Sequence, residues 1–237
     1  MFADFQLQKI AHIQSLWSGY GEIARYSSAR LGKEVIVKHV SPPDEFNHPR
    51  GWHSDVGHQR KLSSYQNEMA FYSRYAGHCS SDCYVPACYA TEQESEQVFL
   101  LLEDLDATGY AGRRQLASID EIATCVRWLA RFHATFQTRE TPDLWPVGCY
   151  WHLATRRDEY QVMENGPLRE AAVFLDQALN QARFQTLLHG DAKLANFCFS
   201  AEGNRVAAVD FQYTGRGPGV KDLAYLLGSC LDNEGLQ

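Results

Sequence analysis

The spacing of apolar residues changes along the chain, and each spacing predicts a different kind of element. At 35–40 and 98–105, dense runs of Val, Leu, Ile and Phe predict strands. Between them, apolar residues from Leu62 to Tyr72 recur at the i, i+3 and i+4 positions of a helix, which is predicted over 59–76. The first part of the chain is therefore predicted to form strands, with one helix between them in the sequence.

Downstream of these strands the apolar pattern becomes mainly helical. Ser118 and Glu121 form a capping box, which opens a helix whose apolar stripe extends to Phe136. A further helical region at 155–183 is interrupted by the Asn-Gly-Pro sequence at 165–167. The second part of the chain is therefore predicted to consist largely of helices.

Short apolar runs near the end of the chain predict a β-hairpin. Residues 197–199 and 206–209 flank the turn-forming sequence Glu-Gly-Asn at 202–204. Because the two arms of a hairpin lie side by side, Asn196 and Asp210 would be carried to the same end. Two oxygen ligands presented together in this way are typical of magnesium sites.

Candidate chemistry concentrates immediately before this hairpin. His189, Gly190 and Asp191 follow an apolar run, and Asn196 comes five residues after Asp191. Phosphoryl transfer needs a carboxylate near the attacking hydroxyl and oxygen ligands that hold Mg²⁺ on a triphosphate. Each of these residues could also be an ordinary turn residue. Their shared spacing, together with Asp210, favours the chemical interpretation.

The order H-G-D, then Asn five residues after the Asp, then D-F-Q closing a strand resembles the aminoglycoside phosphotransferase and choline kinase group. Within that group the chain most resembles the ecdysteroid-kinase-like branch and its bacterial relatives. The resemblance implies an α+β, protein-kinase-like two-lobed fold. A small β-rich N-terminal nucleotide-binding lobe would span 1–104, and a mainly helical catalytic lobe would span 105–237.

The resemblance also implies an activity and its cofactors. The protein would be a small-molecule kinase that uses ATP and Mg²⁺ to phosphorylate a hydroxyl group. An amino alcohol, an aminoglycoside-like sugar or a sterol-like alcohol would each suit the shared machinery. Asp191 would be the catalytic base, and Asn196 and Asp210 would be the magnesium ligands.

Nucleotide-binding roles follow from the same resemblance. Lys38 would contact the α- and β-phosphates and pair with Glu68 on the predicted helix. Backbone groups at Glu103 to Leu105 would receive adenine. The sequence Ser64 to Glu68, followed by an aromatic pair, is similar to the helix signature of the ecdysteroid-kinase-like branch.

Two glycines suggest a phosphate-binding turn near the start of the chain. A short amphipathic segment at 7–17 precedes a predicted hairpin at 18–26 that contains Gly19 and Gly21. Glycines there would let backbone N–H groups approach phosphates closely. A lone G-x-G also marks simple bulges and turns, so both interpretations stay open.

The polar segment 41–58 is predicted as a long loop that caps the nucleotide or the substrate.

Lys193, two residues after the proposed base, has two interpretations. It could neutralise the γ-phosphate during transfer, as electrostatic stabilisers do, or be an exposed loop lysine. His189 and His133 are predicted to be structural histidines, because each lies among apolar residues. Asp222 is predicted to brace the catalytic loop.

Two alternatives to a small-molecule kinase remain. A protein kinase is disfavoured, because eleven residues separate Asp210 from Asp222 and D-F-Q replaces D-F-G. The chain also ends fifteen residues after Asp222, where further helices are expected to build the acceptor wall. A catalytically silent nucleotide-binding or scaffold protein is therefore the second alternative.

Composition narrows the partners. The chain has 237 residues, a net charge of −7 and a pI near 5.7, which argues against nucleic acid as a partner. No apolar run is long enough to span a bilayer. Seven cysteines, an odd number, suit reduced thiols and a cytoplasmic location. His78, Cys79, Cys83 and Cys88 lie close in sequence, but their spacing lacks the C-x-x-C pairs of structural zinc sites.

Overall fold

An antiparallel five-stranded sheet forms the first part of the molecule, with the strand order β1-β2-β3-β5-β4. The computed structural model describes residues 2–42, 55–149 and 152–231. The strands of the sheet are Leu7–Ser15 (β1), Gly21–Ser28 (β2), Lys33–Val40 (β3), Cys88–Glu94 (β4) and Gln97–Glu103 (β5). The predicted amphipathic segment at 7–17 is thus mostly an edge strand, and the strands predicted at 35–40 and 98–105 are confirmed.

Helix α1, Asp55–Ala70, connects strands β3 and β4. Its last residues continue into a π-helical turn, Phe71–Tyr75, so the predicted helix at 59–76 is confirmed with an earlier start. The predicted long loop at 41–58 lies mostly outside the described residues, and its end belongs to α1.

The second part of the molecule is mainly helical. Its helices are Ile119–Phe136 (α2), Arg157–Val162 (α3), Pro167–Asn180 (α4) and Val220–Cys230 (α5). Ser118 and Glu121 form the predicted capping box of α2, and the predicted interruption at 165–167 separates α3 from α4. Among the described residues, no helix has the length and apolarity that a bilayer crossing requires.

Two short antiparallel strand pairs carry the loops of this helical part. The strands are Thr186–Leu188 (β6), Phe197–Phe199 (β7), Val206–Ala208 (β8) and Gly215–Gly217 (β9). Strand β6 pairs with β9, and β7 pairs with β8 as the predicted hairpin. The residues with candidate chemistry therefore lie between β6 and β7 and directly after β8.

An aromatic cluster joins the sheet side of the molecule to the helical side. Phe71, at the end of α1, stacks on Phe211 with ring centroids 3.9 Å apart. Trp128 and Phe132 of α2 stack on each other at 5.0 Å, and Phe132 lies 5.9 Å from Phe211. All four rings are nearly inaccessible to solvent. These buried aromatic surfaces pack the end of α1 against α2 and the segment that follows β8.

Candidate active site

The segment 189–196, called here the catalytic loop, is anchored by a buried carboxylate on α5. Asp222 is 1% exposed and accepts hydrogen bonds from the backbone N–H groups of His189 (2.8 Å) and Gly190 (2.9 Å). His133 Nε2 lies 2.8 Å from Asp222 Oδ2. Burial opposes ionisation, but these hydrogen bonds and nearby histidines outweigh it and hold the pKa of Asp222 below its usual range. Asp222 therefore braces the loop as expected.

Gly190 is required by the path of this loop. Its φ of +84° lies in the left-handed region, and an added Cβ would meet the carbonyl oxygen of Tyr213 at 1.9 Å. The loop thus packs directly on the backbone that follows β8. The glycine of the H-G-D motif is therefore needed for steric reasons, which could not be predicted from the neighbouring sequence.

His189 is a structural residue, as predicted. Its ring is fully buried, with Nε2 donating to the Val209 carbonyl at 3.0 Å and Nδ1 accepting from the Asp191 N–H at 3.3 Å. Burial lowers the pKa of His189, which favours the neutral ring that these two bonds require. The ring also contacts Phe211 at 4.6 Å between centroids. His189 therefore links the catalytic loop to the hairpin.

The two carboxylate oxygens of Asp191 differ in their surroundings. Oδ2 accepts hydrogen bonds from Lys193 Nζ at 2.8 Å and Asn196 Nδ2 at 3.0 Å. Oδ1 is buried and accepts no hydrogen bond from any described residue. One oxygen is therefore fixed, while the other has no hydrogen-bond partner among the described residues. Burial opposes the charge of Lys193, but attraction to Asp191 outweighs it and raises the pKa of Lys193.

Asn196 and Asp210 lie side by side. The Val209 N–H donates to the Asn196 carbonyl at 3.0 Å, and Asp210 follows with a φ of +70°, which is uncommon outside glycine. The Asn196 amide nitrogen donates to the Asp191 carbonyl at 2.7 Å, so its side-chain oxygen is oriented away from that bond. Amide and carboxylate oxygens in this arrangement fit the preferences of Mg²⁺.

Lys38 of β3 forms a buried ion pair with Glu68 of α1. Lys38 is 4% exposed, and its Nζ lies 2.6 Å from Glu68 Oε2 and 3.5 Å from Asp210 Oδ1. Burial opposes the charge of the lysine, but the two carboxylates outweigh it and raise the pKa of Lys38. The contact expected from the sequence is therefore present. It connects the sheet, α1 and the residue after β8.

Glu103 and Leu105 lie where the sheet leads into the helical part. The Glu103 carboxylate accepts from the Tyr84 hydroxyl at 2.9 Å and the Ala87 N–H at 3.0 Å, so this side chain is committed to structure. The Leu105 N–H donates to no described residue. Both residues line the cleft, and because the Glu103 N–H donates to the Ala87 carbonyl at 2.8 Å, the Leu105 N–H is the backbone donor of this pair without a described partner.

The glycines of the β1–β2 turn have different surroundings from those expected. Gly21 has a φ of +127°, and an added Cβ would lie 2.0 Å from the His39 carbonyl oxygen, so sheet packing requires this glycine. Gly19, with a φ of +75°, has open space around it. Among the described residues, the turn contributes Trp17, Ser18 and Tyr20 to the cleft lining, and neither glycine lines it.

These groups converge on a cleft of about 1600 Å³ between the sheet and the helical part. Its lining includes Lys38, Glu68, Asp191, Lys193, Asn196 and Asp210. The four residues considered for zinc have no comparable arrangement, because no described group of three or more His, Cys, Asp or Glu side chains could hold a metal ion.

A family model described as the phosphotransferase enzyme family, APH, matches residues 36–236. The chain belongs to this family. No curated protein matches the chain significantly. The match covers every one of the candidate residues except the two glycines of the β1–β2 turn.

Solved structures of an aminoglycoside phosphotransferase share the fold of this family member. A thermostable mutant of APH(4)-Ia, in a ternary complex with ADP and hygromycin B, is 8% identical with a TM-score of 0.58. That comparison covers 94% of this chain and 73% of the other. The structure of APH(4)-Ia itself is 10% identical with a TM-score of 0.55 over the same shares of the two chains. At this identity the likeness shows the fold, which confirms the α+β kinase-like architecture.

Sequence reasoning missed Lys61 of this phosphotransferase family member and its contact with Gln212. One side of α1, called here the α1 face, carries Lys61, Ser64, Tyr65 and Glu68, and all of these except Ser64 line the cleft. Gln212 accepts hydrogen bonds from Ser64 Oγ at 3.1 Å and Lys61 Nζ at 3.3 Å, and it donates to Asp210 at 2.7 Å. A signal was present, since positions 61, 64, 65 and 68 share a helical face at i, i+3, i+4 and i+7.

Proposed function

We propose that this protein is an ATP-dependent phosphotransferase that moves the γ-phosphate to a hydroxyl group of a small molecule. The observation that carries the proposal is the convergence of Asp191, the Lys38–Glu68 pair and Asp210 on the same cleft. Family membership supports it. So do two structurally similar proteins, which were crystallised with ADP or AMP-PNP and with hygromycin B.

Asp191 is proposed as the catalytic base. Its Oδ1 would accept the proton of the acceptor hydroxyl while the hydroxyl oxygen forms a bond to the γ-phosphorus and the bond to the β-phosphate oxygen breaks. Lys193 and Asn196 hold the other oxygen, Oδ2, and so orient the carboxylate. Lys193 would also offset negative charge that develops on the transferred phosphate.

Lys38 is proposed to bind the α- and β-phosphates, with Glu68 fixing its ammonium group. Asn196 and Asp210 would hold Mg²⁺, which neutralises phosphate charge when it is bound. Asp210 is suited to this role because burial opposes ionisation but nearby lysines outweigh it and lower the pKa of its carboxyl. The carboxylate is therefore ionised at neutral pH, as a metal ligand must be.

The adenine end of the nucleotide is proposed to contact the backbone at Glu103 and Leu105. We place the boundary between a nucleotide-binding lobe, 1–104, and a catalytic lobe, 105–237, at this point. Gly19 and Gly21 are proposed to let the β1–β2 turn approach the phosphates, although Gly21 also has the packing role described above.

The acceptor is proposed to be an amino alcohol, an aminoglycoside-like sugar or a sterol-like alcohol. Hygromycin B in the structurally similar proteins supports the sugar class. The helix sequence from Ser64 to Glu68 supports kinship with the ecdysteroid-kinase-like branch, and hence the sterol class. A cytoplasmic location is proposed from the seven free cysteines.

Two measurements test the proposed function. Binding of AMP-PNP with Mg²⁺ is expected to raise the melting temperature of the wild type, and Asp210→Ala is expected to abolish most of that shift. ADP release with a panel of the three acceptor classes should then identify a substrate. A wild type without any nucleotide-induced shift would contradict the proposal.

A further inference from the structure

A third lysine faces the proposed phosphate site from α1. Lys61 Nζ donates to Gln212 Oε1 at 3.3 Å, and the same Gln212 donates to the proposed magnesium ligand Asp210 at 2.7 Å. Lys61 is partly buried and lines the cleft. Its ammonium group is therefore one side chain removed from Asp210.

The charge of Lys61 lacks the compensation that the other cleft lysines have. Lys38 and Lys193 lie 2.6 Å and 2.8 Å from carboxylate oxygens of Glu68 and Asp191. Lys61 forms no ion pair with any carboxylate in the described part of the chain; its partners there are a neutral amide and a tyrosine ring. Burial of an ammonium group without a counter-ion is costly, and an anionic ligand would remove that cost.

The electrostatic surroundings of Lys61 agree with this geometry. Burial lowers the pKa of Lys61 to about 8, and more distant attraction to Asp210 offsets only part of that effect. Asp191 and Glu68 also attract the ammonium group, while Lys38 repels it. The lysine thus stays mostly protonated at pH 7, in a position influenced by both Asp191 and Asp210.

Tyr65 fixes two ammonium groups over its ring. Lys61 Nζ lies 4.9 Å and Lys38 Nζ lies 5.6 Å from the ring centroid. The Tyr65 side chain is only 1% exposed, and its buried hydroxyl has no hydrogen-bond partner among the described residues. Both ammonium groups therefore lie against one side chain of the cleft lining.

We propose that Lys61 contacts the γ-phosphate of ATP, the group that is transferred, whereas Lys38 contacts the phosphates that remain in ADP. The inference rests on the proposed function. Asp210 would hold the metal on the triphosphate and Asp191 would face the attacked phosphorus, while Lys61 lines the same cleft and is joined to Asp210 through Gln212. Positive charge placed there opposes the negative charge of the transition state.

The test compares two nucleotides that differ in the γ-phosphate. Affinities of AMP-PNP and ADP, each with Mg²⁺, are measured by calorimetry for the wild type, Lys61→Met and Lys61→Arg. We expect Lys61→Met to weaken AMP-PNP binding at least about tenfold, since a charged hydrogen bond is lost, and to leave ADP binding within about twofold. Lys61→Arg should recover most of the AMP-PNP affinity, because the charge is retained.

Controls separate this contact from a structural role and from failure of the proposed function. Lys33→Met removes an exposed lysine of β3 that lies outside the cleft lining, and should change neither affinity. Equal losses of ADP and AMP-PNP affinity in Lys61→Met, or no loss of either, would overturn the assignment of Lys61 while nucleotide binding by the wild type stands. A wild type that binds neither nucleotide would overturn the proposed function, and this contact with it.

Discussion

The catalytic loop and the α1 face line the same cleft, but they are held in place by different kinds of contact. The loop is fixed through its backbone, by the Asp222 carboxylate on two N–H groups and by Gly190 packed against Tyr213. The α1 face is held through side-chain contacts: the Glu68–Lys38 ion pair, and the hydrogen bonds of Ser64 and Lys61 with Gln212. Because the loop is anchored through its backbone, its position depends on the whole fold. The side chains of the α1 face, in contrast, can each change conformation without moving the helix.

This difference predicts which property each substitution changes. A change in the loop or its anchor should abolish turnover or destabilise the fold. A change on the α1 face should mainly alter affinity for the nucleotide, because neighbouring side chains can partly compensate. Four substitutions, taken in order of decreasing expected effect, test that contrast.

Asp191→Asn should have the largest effect. It keeps the size of the side chain but removes the proposed proton acceptor, so turnover should fall at least about 100-fold. Nucleotide affinity should change little, because the loop keeps its anchor. Steady-state ADP release and calorimetry measure the two quantities. Turnover retained to within a few-fold would exclude Asp191 as the base.

Asp222→Asn should destabilise the whole protein. The amide nitrogen of asparagine cannot accept a hydrogen bond. The His189 N–H, the Gly190 N–H or the His133 ring would therefore lose its acceptor. The free energy of unfolding at pH 7 should fall by about 3 kcal/mol, as for other buried charged networks. Urea denaturation measures it, with the exposed Asp82→Asn as the control that should be neutral.

The effect of Asp222→Asn on stability should depend on pH. The pKa of Asp222 is lower in the folded protein than the unfolded value of about 3.9. Its stabilising contribution is therefore fully present above about pH 3.9 and is lost as pH falls through the folded-state pKa. The stability difference between wild type and Asp222→Asn should narrow over that acidic range. A difference that stays constant as the solution is acidified would show that Asp222 does not act through its charge.

Glu68→Gln should weaken nucleotide binding about tenfold, equivalent to about 1.4 kcal/mol. Without the ion pair at 2.6 Å, Lys38 would move toward Asp210, which already lies at 3.5 Å. Calorimetry with ADP and Mg²⁺ measures the loss, and the exposed Glu94→Gln on β4 serves as the matched control. If Glu68→Gln affected turnover far more than affinity, the contrast between the two regions would be wrong.

Ser64→Ala should have the smallest effect, about 1 kcal/mol on stability and less than about tenfold on nucleotide affinity. It removes a hydroxyl that contacts both Gln212 and the Lys61 carbonyl, but Lys61 still donates to Gln212. Ser73→Ala is a close control, because Ser73 also donates to a helical carbonyl and has no contact with Gln212. Denaturant titration of the two variants in parallel would show whether the contact with Gln212 matters beyond the local helix bond.

Elements with a strong local signal were predictable. The capping box of α2, the interruption before α4 and the β7–β8 hairpin each depend on neighbouring residues, and each is present. The segment 7–17 was less clear, because an edge strand with two register irregularities has no regular alternation of apolar residues. Its pairing with β2, rather than its own pattern, decides its conformation.

Gly21 shows that a motif glycine can have a packing role that its motif does not indicate. Its position in a G-x-G sequence suggested close approach to phosphates, whereas the structure shows it facing the carbonyl oxygen of His39 on the neighbouring strand. Sequence spacing records that a small residue is needed. It does not record which neighbour approaches it.

Asp191, Asn196 and Asp210 could be found from the sequence, because they lie within twenty residues of one another, on one loop and one hairpin. The other side chains of the cleft could be found only from the packing of elements that are far apart in the chain. Packing of α1 against the aromatic cluster brings Lys61 and Ser64 to Gln212, about 150 residues away in sequence. Contacts over such separations depend on how elements pack, and no local pattern specifies them.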